Sequence, residues 1–254
     1  MLSEIQDGQA LVVGASQGIG FGFVKHLLQT DNIARIFATY RRPRGAAELL
    51  KLADEHPQRL HCLPLDVTDE SQIATSLSCV QRLTPRLHLV INSVGLLHDD
   101  QVSPEKSLQQ LNADHLLRAF QVNSVGGILL AKHLLPLLRH DQPSLFATLS
   151  AKIGSIGDNR LGGWYGYRAS KAALNMFLKT AAIEYSRKSK NTILVMLHPG
   201  TTDTQLSRPF QRGVPPDKLF SVDRTVTQLM TVLSQLDSAD HGAFFSWDGS
   251  RLPW

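Results

Sequence analysis

The sequence predicts an α/β fold, a single doubly wound parallel β-sheet with helices on both faces. Three observations predict it. Short runs rich in Val, Ile and Leu recur along the chain, amphipathic stretches separate them, and the first run passes through a glycine cluster straight into a helical pattern. Continuous apolar strands are those buried on both faces, which requires helices above and below the sheet and right-handed crossovers between strands.

Taken in order, strands are expected at 10–13, 33–39, 60–65, 87–92, 144–150 and 192–197, each short enough to be a buried strand. Helical spacing of apolar residues covers 18–30, 44–56, 69–83, 107–139 and 163–189. The Pro- and Arg-bearing stretch 207–218 then interrupts the alternation, before a helix near 222–236 and a last apolar run at 242–246. A loop of that length without structure of its own reads either as a mobile lid over a site or as a surface connection. Residues 1–254 are read as one domain, with a cofactor part at about 8–150 and substrate loops at 151–165 and 202–220.

Composition narrows the function classes. Hydrophobic residues at 43% and charged residues at 19% describe an ordinary globular chain. A balance of 26 basic against 22 acidic side chains, +4 overall, is too small and dispersed to point to nucleic acid. Cys62 and Cys79 form no CxxC pair and no disulfide framework, and His56, His61 and Cys62 are spaced irregularly for zinc, so no metal site is expected. With neither an export signal nor a membrane-length apolar run in view, a reducing cytoplasmic location is the expectation, with no membrane partner.

The first strand runs into GASQGIGFG, placing glycines at Gly14, Gly18 and Gly20. Glycine lets the backbone turn tightly and approach a pyrophosphate, while the free N–H groups and positive dipole of the following helix face it. The spacing is GxxxGxG, and a plain tight β–α turn would use the same residues. Past the second strand the chain reads ATYRRPRG, with no acidic residue from Asn32 to Ala47 to bind a ribose 2′-hydroxyl. Arg41, Arg42 and Arg44 instead offer guanidinium groups suited to a 2′-phosphate, favouring NADP(H) over NAD(H); a solvated basic turn is the alternative.

Further along, YGYRASKAALN puts Tyr167 and Lys171 four residues apart, on one helix face. Lowering a tyrosine pKa from about 10 by about 3 units takes roughly 4 kcal/mol. A unit charge about 4 Å away at an effective dielectric near 20 supplies roughly that much, so Lys171 is expected to lower the Tyr167 pKa.

GxxxGxG, LDVTD at 65–69, NSVG at 92–95, YxxxK and HPG at 198–200 together resemble the classical short-chain dehydrogenase/reductase family, over essentially the whole chain. The segment LSAKIGSIGDNRLGGWYGYRASKAALN and the ending FFSWDGSRLPW further resemble its sniffer-like and cell-signalling-factor-like carbonyl reductases. The resemblance implies a Rossmann-type domain that interconverts a carbonyl compound (ketone or aldehyde) and an alcohol by hydride transfer, with Tyr167 as acid/base and Lys171 binding the nicotinamide ribose. It implies a dinucleotide held by Gly14, Ser16, Gln17, Gly18, Ile19 and Gly20, by Arg41 and Arg42, by Asp66 and Val67 around the adenine, and by Asn92, Ser93 and Gly95. Pro199, Gly200, Thr202 and Thr204 would hold the carboxamide, and Asn123 would complete a proton relay. A homodimer or homotetramer built on the two long helices is implied as well. From the residues alone, Asn123 also suits a backbone hydrogen bond inside a helix, and Asp66 a helix cap, although Thr68 is better placed to cap.

One departure stands out. The family serine that contacts the substrate carbonyl falls in register on Ala151, with Ser150 one position early and Ser155 four positions late. One position reverses the side-chain direction in a strand, so Ser150 serves only through a local bulge, Ser155 only from the loop, and otherwise Tyr167 acts alone. Ser150 is the preferred candidate, a strand-end hydroxyl bonded to backbone its alternative. The missing serine also motivates a second function, an NADPH-binding regulatory or signalling protein with weak or no catalysis. The loops that would line the substrate site carry Trp164 and Phe210, and the chain ends in Trp254; each suits an aromatic or apolar ligand or simple packing.

Overall fold

The computed structural model describes residues 5–254. Seven parallel strands form its main sheet: β1 (Gly8–Val13), β2 (Ile33–Tyr40), β3 (Leu60–Pro64), β4 (Leu89–Asn92), β5 (Ser144–Leu149), β6 (Thr192–His198) and β9 (Phe244–Ser246). Their order is β3-β2-β1-β4-β5-β6-β9. The order reverses between β1 and β4, and the crevice at such a switch point, beyond the carboxyl ends of the strands, is where an open α/β sheet binds ligands.

Strand alternation splits the apolar residues between two cores. Ala10 and Val12 of β1 face one layer with Leu145 and Ala147 of β5, while Leu11 and Val13 face the other with Phe146. The first core is closed by α1 (Gly18–Leu28), α2 (Ala47–Glu55) and α7 (Val222–Gln235), through Phe23, Leu27, Leu49 and Leu229. The second is closed by α3 (Glu70–Leu83), α5 (Gly126–Leu138) and α6 (Tyr165–Lys188), through Ile73, Leu130, Leu134, Leu174 and Leu178. Fully burying one such side chain is worth about 1.5–3 kcal/mol, and both layers depend on it. Among the described residues no helix is long and apolar enough to cross a membrane.

Three expectations are corrected. The single helix read over 107–139 is divided into a 3-10 turn (Leu108–Gln110), α4 (Ala113–Phe120), a π-turn (Gln121–Val125) and α5. The stretch 207–218 is not structureless. It holds 3-10 turns at Arg208–Gly213 and Pro216–Lys218, and is bracketed by the parallel pair β7 (Thr201–Thr202) and β8 (Leu219–Phe220). The N-cap of α3 is neither Asp66 nor Thr68 but Asp69, whose carboxylate accepts from Ser71 N at 2.9 Å and Gln72 N at 3.2 Å.

Candidate active site

The glycine loop lies at the switch point. Gly14 and Gly18 have φ of 80° and 55°, left-handed values that favour glycine. A Cβ on Gly20 would lie 2.3 Å from the Gly14 carbonyl oxygen, so α1 meets the loop closely only because that side chain is absent. The loop is tied to its neighbours: Gly14 N donates to Thr39 Oγ1 at 3.2 Å, Ala15 N to the Thr39 carbonyl at 2.8 Å, and Ser93 Oγ to the Val13 carbonyl at 2.8 Å. Ser16 and Ile19 are half-buried and Gln17 is exposed. Gln17, the N-cap of α1, makes no side-chain cap, and no acidic residue lies in the first turn, which leaves the positive helix end unneutralised.

Just beyond β2, Arg41 and Arg42 are exposed, and among the described residues no carboxylate pairs with them or with Arg44. Asp66 accepts from Thr68 N at 3.0 Å and Thr68 Oγ1 at 2.7 Å, bracing the turn after β3, while Val67 is buried against Gly126. Asn92 Oδ1 accepts from Val94 N at 3.2 Å, turning the chain out of β4. On the far side, Thr204 Cγ2 would be 3.3 Å from a Cβ on Gly18, so the segment after β6 closes onto the glycine loop. Gly200 has φ 74° and faces Phe220 at 2.5 Å from its would-be Cβ, Pro199 precedes it, and Thr202 Oγ1 shares a 2.8 Å hydrogen bond with Thr225 Oγ1.

Lys171, Asn123 and Gly95 converge. A Cβ on Gly95 would lie 3.6 Å from Lys171 Nζ and 3.9 Å from Asn123 Oδ1. The π-turn aims Asn123 inward, where Oδ1 accepts from Leu96 N at 2.6 Å and Nδ2 donates to the Leu96 carbonyl at 2.8 Å and to Ser170 Oγ at 2.9 Å. Such wide turns are frequent at functional sites. The backbone bonding open from the sequence is therefore present. Lys171 Nζ donates to the Leu149 carbonyl at 2.9 Å and lies 5.9 Å from the Tyr167 ring centroid.

The expected lowering of the Tyr167 pKa by its neighbour does not occur in this geometry. Burial dominates both groups, pushing the Tyr167 hydroxyl up to about 12 and the Lys171 ammonium down to about 8. Tyr167 is thus a held proton at neutral pH.

Each candidate serine has partners of its own in the fold. Ser150 is 4% exposed and its hydroxyl donates to Asn175 Oδ1 at 2.7 Å, which puts it in the packing of α6 against the sheet, without a bulge. Ser155 Oγ donates to the Trp254 carbonyl at 3.2 Å and accepts from Asp158 N at 3.1 Å. Ala151, in extended backbone, holds the in-register position itself. Trp254 stacks on Phe244 at 6.0 Å with its outer side exposed, whereas Phe210, on the 207–218 stretch, lies against Trp164 near Tyr167. His198 is held neutral, its pKa lowered to about 4 by burial and then by Lys152.

The sequence missed Glu105, His98, Thr39 and Asn175. All act across contacts between segments far apart in the chain, and no local spacing signals that. A separate apolar groove of 490 Å³, lined by Phe120, Ile153, Tyr165, Arg168 and Ala172, runs along another face of α6 and does not include Tyr167 or Lys171.

Comparison with known proteins agrees with the fold. The family model described as short chain dehydrogenase matches residues 9–214. The NADPH-bound carbonyl reductase from chicken fatty liver is 31% identical, with a TM-score of 0.87, covering 98% of this chain and 100% of that one. The carbonyl reductase Sniffer of Drosophila melanogaster is 26% identical with a TM-score of 0.85 and the same coverage. The C-signal protein of Myxococcus xanthus is 30% identical over 139 residues, 55% of this chain and 78% of that protein.

Proposed function

The chain belongs to the short chain dehydrogenase family, and on that premise we propose that it is an NADP(H)-dependent carbonyl reductase in which Tyr167 is the acid/base. One observation carries this: the held proton of Tyr167, the ammonium of Lys171 and the amide of Asn123 stand together at the carboxyl edge of the sheet, beside a glycine cradle with no room for side chains. When bound, the nicotinamide supplies the hydride.

The cradle fits such a group. Ser16, Gln17, Gly18, Ile19 and Gly20 would present backbone N–H groups and a helix end to the pyrophosphate, Gly14, whose own N–H goes to Thr39, would allow its close approach, and Arg41 and Arg42 offer unpaired cations to a 2′-phosphate. Asp66 and Val67 would flank the adenine, and Asn92, Ser93, Gly95, Pro199, Gly200, Thr202 and Thr204 would border the nicotinamide half. Tyr167 gives its proton to the carbonyl oxygen of a ketone or aldehyde as the alcohol forms, Lys171 supplies positive field, and Asn123, fixed by Leu96 and Ser170, would complete the relay that returns a proton. Ser150 is left out of this mechanism because its hydroxyl is committed to Asn175.

Self-association as a dimer or tetramer through α4 and α6 is part of the same proposal, supported by the exposed apolar residues Leu117, Met176 and Ile183 on those helices. Sizing in solution that reads a single chain mass would refute it. A cytoplasmic location is proposed with it, and an epitope-tagged chain recovered in a secreted fraction would contradict that. A second function, a cofactor-binding regulator, is favoured by Ala151 in the serine register. NADPH oxidation with a panel of ketones and aldehydes separates the two: turnover supports the reductase, and tight NADPH binding without turnover supports the regulator.

A further inference from the structure

Three aromatic side chains from three loops meet beside Tyr167. His98 comes from the segment after β4, Trp164 from the turn entering α6, and Phe210 from the 3-10 turn after β7. The Trp164 ring lies 4.9 Å from Phe210 and 6.3 Å from Tyr167, edge-on to both, and Phe210 meets His98 edge-on at 5.5 Å. All four residues are partly exposed, so the cluster lies at the surface beside Tyr167 and is not core packing.

Trp164 is presented at a cost in backbone strain. Its φ of 52° and ψ of 43° are left-handed, a region that bulky side chains avoid, and Gly162 and Gly163 just before it have φ of 64° and 65°. A third glycine would serve the turn with less strain. The conformation is held by Glu105 together with the Arg168 side chain, which donates to the Gly163 carbonyl at 2.9 Å and to the Gly162 carbonyl at 3.0 Å. Trp164 N donates to the Glu105 carbonyl at 2.5 Å, and Gly166 N donates to the Glu105 carboxylate at 3.1 Å. Glu105 is 5% exposed, and no cation pairs with it among the described residues. Its carboxylate therefore serves the first turn of α6, whose positive end it faces. Strain kept where an indole stands edge-on to the Tyr167 ring points to a ligand that the indole meets.

Building on the reductase reading, we propose that Trp164, with Phe210 and His98, forms an aromatic wall that selects carbonyl compounds bearing a flat aromatic ring next to the carbonyl, and that Glu105 is a positioning residue for the wall. A flat ring gains edge-to-face contacts that a puckered ring of the same size does not, each worth roughly a factor of three to ten in affinity.

Acetophenone and cyclohexyl methyl ketone form the test pair, since they share the carbonyl and the carbon count. Calorimetry on the NADP+-loaded protein measures binding, and steady-state kinetics with NADPH measures turnover. The expected result is that acetophenone binds at least about tenfold more tightly, and that Trp164→Leu reduces the ratio to within about twofold while NADP+ affinity is unchanged. Trp164→Phe retains most of the preference. Phe210→Leu, in a loop remote from the core, reduces it about threefold and serves as the second variant should Trp164→Leu fold poorly. Glu105→Ala raises KM for the aryl ketone at nearly constant kcat, and Glu105→Gln restores it. Equal binding of the two ketones, or a preference that survives both Trp164→Leu and Phe210→Leu, overturns the wall. Discriminating binding with no reduction of either ketone leaves the wall standing and refutes the reductase reading; reduction of both without preference does the reverse.

Discussion

Lys171 Nζ is hydrogen-bonded to the Leu149 carbonyl at 2.9 Å, so the buried ammonium is fastened to the end of β5 and only faces the Tyr167 ring, at 5.9 Å. Burial lowers its pKa to about 8, so Lys171 is charged below pH 8 and neutral above it, while Tyr167, pushed up to about 12, keeps its proton throughout. The kcat/KM for carbonyl reduction is therefore expected to fall as pH rises through about 8, and Lys171→Met is expected to lose about 100-fold or more. A profile flat from pH 6 to 10 would contradict this.

Arg41 and Arg42 carry the cofactor choice. Replacing both with Ala should weaken NADPH binding by about 10- to 100-fold, at roughly 1.5–3 kcal/mol per charged contact less solvent screening, and leave NADH binding within about twofold. Fluorescence titration with the two reduced cofactors reads this directly, and equal losses for both would remove the arginines from 2′-phosphate recognition.

Ser150 donates to Asn175 inside the α6 packing, so Ser150→Ala should lower stability by about 1–3 kcal/mol in urea unfolding and change kcat less than about threefold. Ala151→Ser, which puts a hydroxyl in the usual register, should raise kcat, by up to about tenfold. If Ser150→Ala abolishes turnover with stability intact, the serine belongs to the mechanism after all.

His198 gives an acid-sensitive contribution to stability. Its folded pKa is lowered from 6.5 to about 4, first by burial and then by Lys152. The unfolded chain therefore binds a proton that the folded chain refuses, and stability is lost as pH falls from 6.5 toward 4. Between pH 7 and 5 this amounts to about 2 kcal/mol, which His198→Gln should remove. Urea midpoints at the two pH values, with the same loss in both proteins, would show His198 to be irrelevant.

The strands of the main sheet were legible because burial on both faces leaves continuous apolar runs, as in Leu11–Val13 against Leu145–Ala147. The glycine loop was legible because Gly14, Gly18 and Gly20 follow a strand and open a helix. The π-turn around Asn123 was not, since one extra residue in a turn barely disturbs helical periodicity. Glu105 holds a residue 59 positions on, through a backbone hydrogen bond to Trp164 that leaves no local pattern. The Ser150 side chain hung on strand parity at the end of β5, and the titration of Tyr167 and Lys171 on burial, neither of which is fixed by the spacing YxxxK.

The central claim is that the Tyr167 hydroxyl supplies the proton for carbonyl reduction, and Tyr167→Phe tests it most directly because only that oxygen is removed. With NADPH and a ketone that the wild-type protein reduces, the loss of reduced-nicotinamide absorbance is expected to slow by about 100- to 10,000-fold, at unchanged NADPH affinity. A variant that binds NADPH normally and turns over within about threefold of wild type would contradict the account.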